Sequence, residues 1–163
     1  MWELPFQALQ PREDRYLIFD NRHPLYSFLL FARPEDSASD DGLLEAREIM
    51  GLKLNADLVV LSACDTARGR IGAGEGMIGL SWAFFAAGCR STLVSQWKVN
   101  SAGAADWMEH FYRDLRQTTE RKTVTMADAL RLTILTMMKD GRYGHPFYWS
   151  GFVLIGDVGY FAP

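Results

Sequence analysis

Cys64 has the side chain and the setting best suited to nucleophilic chemistry. It stands in the run Leu58-Val59-Val60-Leu61-Ser62-Ala63-Cys64-Asp65-Thr66, where an apolar stretch gives way to small polar residues. The thiolate is the reactive form, and a free thiol at neutral pH is mostly protonated. A base or a positive field must therefore sit beside it. His23, His110 and His145 are the imidazoles available for that task. Asp65 and Glu75 bring acids toward the thiol. They favour its neutral form unless a base offsets them, and they suit a basic substrate side chain. The bland reading of Cys64 is a small buried hydrophobe. Cys89, between a helix end and a strand, takes that reading more readily.

The run 58–61, with Val at two positions, predicts a strand buried on both faces of a sheet. Cys64 then lies at its carboxyl end, where open α/β sheets place their chemistry. Glycines at 69, 72, 74, 76 and 79 follow. The next stretch predicts a helix over 76–87. It is apolar nearly all round, with Met77, Ile78, Leu80, Trp82, Phe84 and Phe85, so burial against the sheet is expected. Gly88 suits its C-terminal cap. Residues 90–95 predict a second buried strand, and strand–helix–strand of this spacing makes a right-handed parallel crossover. Ser95, Gln96 and Trp97 then end at the same edge as Cys64, where Ser95 and Trp97 join Asp65 and Glu75 as candidates for substrate contact.

Ser101 suits the cap of a helix running to about 117, with Ala104, Met108, Phe111 and Leu115 on one face. His110 falls off that stripe and reads as a surface residue. Thr125 and Asp128 form a capping-box pattern before a second stripe, Met126, Leu130, Ile134 and Met137. Two successive helices bring the chain back, so the last strand, 152–155, is expected to run antiparallel. Its leading loop, 140–151, is expected on the Cys64 edge. That loop carries His145, two strands away from Cys64, which is about 10 Å at the usual spacing. A capping or packing role suits His145 better than a catalytic one. Upstream, 25–31 predicts a strand, 43–45 a partner for it, and 46–51 a helical turn. Residues 33–42, with Glu35, Asp36, Asp40 and Asp41, read as a solvated turn. Residues 2–18 read as a hairpin or two short extended segments.

Composition narrows the function classes. A chain of 163 residues, 48% hydrophobic, forms one domain with a sizeable core. A net charge of −3 offers nothing to nucleic acid or an anionic membrane. No apolar run approaches the roughly 18 residues of a membrane span, and no signal peptide is read at the start. With two cysteines no disulfide framework is expected, and the cytosol is the default compartment. Gly74-Glu75-Gly76-Met77-Ile78-Gly79 has the form of a dinucleotide fingerprint. It lies about ten residues beyond its strand, and no acid ends the next strand, so nucleotide binding is set aside. No cofactor and no metal set is called for.

Ser62-Ala63-Cys64-Asp65-Thr66, Gly74-Glu75-Gly76, Ser95-Gln96-Trp97 and His145-Pro146-Phe147-Tyr148-Trp149, in that order, resemble the CHAT domain. This is a caspase-like family of cysteine peptidases and their relatives, common in bacteria and often fused to tetratricopeptide repeats. The resemblance covers about residues 23–157, with 1–22 as an N-terminal hairpin or extended segment. It implies a caspase-like three-layer α/β/α sandwich with a mostly parallel sheet and an antiparallel last strand. It also implies a cysteine endopeptidase with Cys64 as nucleophile. The family pattern places a strand, a helix and a second strand ending in His-Gly ahead of the loop that Asn21-Arg22-His23-Pro24 resembles. Here Tyr16-Leu17-Ile18 runs almost at once into that loop, so the domain reads as truncated at its first strands. His23 falls several residues past the family's catalytic position, and His145 is left as a substitute base. After Trp97 the family usually shows Pro-Val-Asp-Asp, where Lys98-Val99-Asn100-Ser101 stands here. The expected function is that of an impaired peptidase homologue, the alternative a non-catalytic interaction module or relic. The expected partners are a protein or peptide substrate, tetratricopeptide-repeat proteins, and a second copy joined through an unpaired strand edge.

Overall fold

The computed structural model describes residues 27–31, 42–62, 75–97, 99–117 and 124–159, with the backbone alone for 75–78. The N-terminal segment, His23, and Cys64 with Asp65 lie outside the described residues, as does the acidic turn 33–41.

Ten elements follow in chain order. They are β1 (Phe28–Leu30), β2 (Leu43–Glu45), α1 (Ala46–Ile49), β3 (Val59–Leu61), α2 (Glu75–Ala86) and β4 (Ser91–Ser95), then α3 (Ser101–Leu115), α4 (Met126–Lys139), α5 (Pro146–Trp149) and β5 (Phe152–Gly156). The fold is α/β. β3, β4 and β5 form one sheet in that order. β3 and β4 are parallel, with Val60 opposite Leu93, as a strand–helix–strand crossover requires. β5 runs antiparallel to β4, with Ser95 opposite Phe152, in agreement with the two-helix return. The described sheet thus holds one parallel and one antiparallel pairing instead of a parallel majority. β1 and β2 pair with each other, Leu29 opposite Leu44, in a separate two-stranded sheet.

Helices cover both faces of the three-stranded sheet. Alternate side chains of a strand point to opposite faces. Val59, Leu61, Val94, Val153 and Ile155 accordingly join one core with Ala46 and Ile49 of α1 and Leu80, Ala83 and Phe84 of α2. Val60, Leu93, Phe152 and Leu154 join the other, with Trp107 and Phe111 of α3 and Met126, Ala129 and Met137 of α4. Trp107 is fully buried and stacks on Phe152 with ring centroids 4.0 Å apart.

Three details depart from the sequence expectation. The cap of α3 is Asn100, whose side chain accepts from the Gly103 N–H at 2.8 Å, so Ser101 is the first helical residue. Trp82 on α2 is 68% exposed. The face of α2 that turns to the sheet carries Ser81 instead, whose Oγ accepts from Thr92 Oγ1 of β4 at 3.1 Å. His110 is half-buried, and its Nδ1 is enclosed without a hydrogen-bond partner. The capping box of α4 forms as expected: Thr125 Oγ1 accepts from the Asp128 N–H at 3.0 Å. Among the described residues no helix is long and apolar enough to cross a membrane.

Candidate functional site

Strand direction decides which residues meet. β3 and β4 are parallel, so Ser62 and the Ser95-Gln96-Trp97 segment leave the sheet at the same end. β5 is antiparallel, so the segment before Phe152 arrives at that end. The Gln96 N–H donates to the Gly151 carbonyl at 2.7 Å, which ties the exit of β4 to the entrance of β5.

The segment 140–151, expected to be a loop, contains α5, a four-residue helix. Pro146 at its first turn, where no intrahelical N–H is needed, was the available signal. His145 is its N-cap: Nδ1 accepts from the Phe147 N–H at 3.1 Å. His145 is otherwise exposed. Trp97 faces the same turn. Its Nε1–H donates to the Phe147 carbonyl at 3.0 Å, and its ring stacks on Phe147, with centroids 6.4 Å apart and planes 25° apart. The indole also packs closely against Gly151, where an added Cβ would lie 3.0 Å from Cε2.

Ser95 is buried beside Phe152 at the sheet end. The backbone of Glu75 opens α2. The structure thus brings Ser95, Trp97 and the His145 turn together. Cys64 and Asp65, outside the described residues, follow Ser62 in sequence. Phe147, noted in the sequence only as part of the 145–149 motif, and Gly151, not noted there, belong to this site; a glycine just before a strand was the clue to the second.

A polar cluster anchors the front of the turn. Arg142 forms ion pairs with Asp140 at 3.0 Å and with Asp106 of α3 at 3.4 Å, and its guanidinium lies 5.0 Å from the Tyr143 ring centre. The hydrogen bond from Arg142 holds the Asp140 carboxyl below its ordinary range, and the same bond raises the guanidinium. Desolvation, then the hydrogen bond to Asp106, pushes the Tyr143 phenol up. A separate apolar groove, lined by Leu130, Ile134, Leu154 and Val158, lies along α4 and β5 away from this edge. Among the described residues no group of His, Cys, Asp and Glu is arranged to hold a metal ion.

An α/β protein in which the ends of two parallel strands and the segment before an antiparallel one meet at one sheet edge belongs to a class that builds sites from loops at that edge. The sequence model of the CHAT domain matches residues 16–157, and the chain belongs to the CHAT domain family. Tetratricopeptide repeat protein 28 from Mus musculus is 32% identical over 146 residues, covering 83% of this chain and 6% of that protein. The Homo sapiens protein of the same name is 30% identical over 146 residues, with the same coverage. The chain therefore spans about 6% of the length of these curated relatives.

Proposed function

We propose that this chain is a homologue of caspase-like cysteine endopeptidases that keeps the nucleophile position, Cys64, and lacks a working base. Peptide-bond turnover by it is then very slow or nil. The observation that carries this reading is the cap at His145. With Nδ1 accepting the Phe147 N–H, the imidazole proton sits on Nε2. Neither nitrogen has a free lone pair to take the thiol proton. His145 also precedes β5, two strand positions from β3 in the order β3-β4-β5. That is about 10 Å across the sheet, well beyond hydrogen-bond reach.

In a competent site the Cys64 sulfur would attack the peptide carbonyl carbon. The thiol proton would pass to a base and then to the leaving amine, and backbone N–H groups, including that of Cys64, would hold the oxyanion. Asp65, Glu75, Ser95 and Trp97 border the cleft in this reading, and the two acids favour a basic residue before the scissile bond. The fold would be the caspase-like sandwich, and the compartment the cytoplasm.

A second reading is a protein-interaction module. It is favoured by the relatives, which are named for tetratricopeptide repeats and of which the matching part is a small portion.

The test is turnover of a peptide library with basic residues before the cut, by wild type, Cys64→Ala and His145→Ala. Wild type is expected to match Cys64→Ala. Robust turnover that disappears in Cys64→Ala contradicts the proposal; if it also disappears in His145→Ala, a relocated dyad is the better account.

A further inference from the structure

We infer that Trp97 is a positioning residue: it holds the α5 turn, and through it His145, at the end of β4, and its indole N–H does not serve substrate. The inference rests on the reading of this edge as the cleft. α5 is four residues long and has no buried residue. A helix that short does not sustain itself, so outside contacts decide whether it forms.

Tyr148 and Trp149 pack against the second core, and Tyr148 meets the Tyr143 ring. The polar contacts that fix the turn's backbone at its start converge on Phe147. The Phe147 N–H donates to His145 Nδ1 at 3.1 Å, and the Phe147 carbonyl accepts from Trp97 Nε1–H at 3.0 Å. Trp97 therefore fixes the peptide unit next to the one that His145 caps. Its single polar atom is fully committed. The ring is seated by Gly151, where a Cβ would meet Cε2, Nε1 and Cζ2 at 3.0–3.3 Å, tighter than ordinary contact. The backbone bond from Gln96 to Gly151, at 2.7 Å, sets the strand ends that carry the ring and its seat. A substrate would have to break this arrangement to reach the indole nitrogen.

The experiment is nitrogen NMR of the full chain labelled at histidine, assigned by comparison with His145→Ala, for wild type, Trp97→Phe and Gly151→Ala. Wild type is expected to show His145 as a single Nε2–H tautomer above pH 8. Both variants are expected to lose that signature for the averaged tautomers of an untethered histidine, while circular dichroism keeps its helical signal. Trp97→Phe retains a ring for packing and removes the donor. In wild type the Trp97 indole N–H is expected to exchange slowly with solvent and to hold its shift when a short arginine peptide is added. An unchanged His145 tautomer in both variants overturns the inference, and so does an unprotected indole N–H in wild type. Because tautomer and exchange are read without turnover, failure here is distinct from failure of the peptidase reading.

Discussion

At the residue scale, two groups decide how the edge behaves. The capping or packing role expected of His145 from its distance to Cys64 is met by the cap, with Nδ1 accepting from the Phe147 N–H. The partnership of Trp97 with Phe147 was not legible, because the two are fifty positions apart and only the strand order joins them. Gly88 is a case the sequence did announce. Its φ is +102°, and a Cβ there would lie 2.4 Å from the Leu54 carbonyl oxygen. Gly88→Ala is expected to destabilise the fold by about 1–3 kcal/mol or more, measured by urea unfolding.

Asp140 gives a pH prediction at the same scale. Its folded-state carboxyl is held below the ordinary value, first by the Arg142 hydrogen bond. The stabilisation is therefore present above the unfolded carboxylate value and lost as pH falls through the folded one. Arg142→Gln is expected to move the Asp140 titration, followed by NMR below about pH 5, part of the way back toward its ordinary position, since the backbone N–H of residue 142 still donates to Asp140. A titration unchanged by the substitution would remove Arg142 as the cause.

At the element scale, periodicity carried most of the reading. The stripes of α3 and α4 and the apolar runs of β3 and β4 were visible because a stripe of period 3.6 or a buried run leaves a pattern. α5 left none, being a single turn. α2 misled because an all-round apolar helix suggests all-round burial, whereas Trp82 faces outward and a hydroxyl pair, Ser81 with Thr92, sits on the sheet. At the start of α3 two neighbouring cap formers compete, and Asn100 takes the role. The α4 capping box was legible, because its residue types and three-residue spacing are the mechanism itself. Thr125→Ala is expected to cost about 1 kcal/mol, measured as a drop in Tm; no drop would mean that packing alone holds the start of α4.

At the whole-molecule scale, the α/β class and the antiparallel last strand followed from counting helices between strands. The first strands of the family pattern could not be placed by any such count. Among the described residues β3 has one strand neighbour, β4, and β1 pairs with β2. An apolar edge strand invites association. The chain is expected to dimerise or aggregate when purified alone, and a monodisperse monomer at high concentration in light scattering would count against that.

The proposed lack of a base for Cys64 is tested most directly by its alkylation. Iodoacetamide adducts on the Cys64 peptide, separated from Cys89 by mass spectrometry, give the rate at each pH. The rate is expected to climb through about pH 8.5, the ordinary thiol range, because the proposal gives Cys64 no histidine partner and the acids near it in sequence, Asp65 and Glu75, would favour the neutral thiol. A fast plateau already reached below about pH 7 would reveal a thiolate paired with a histidine and contradict the account.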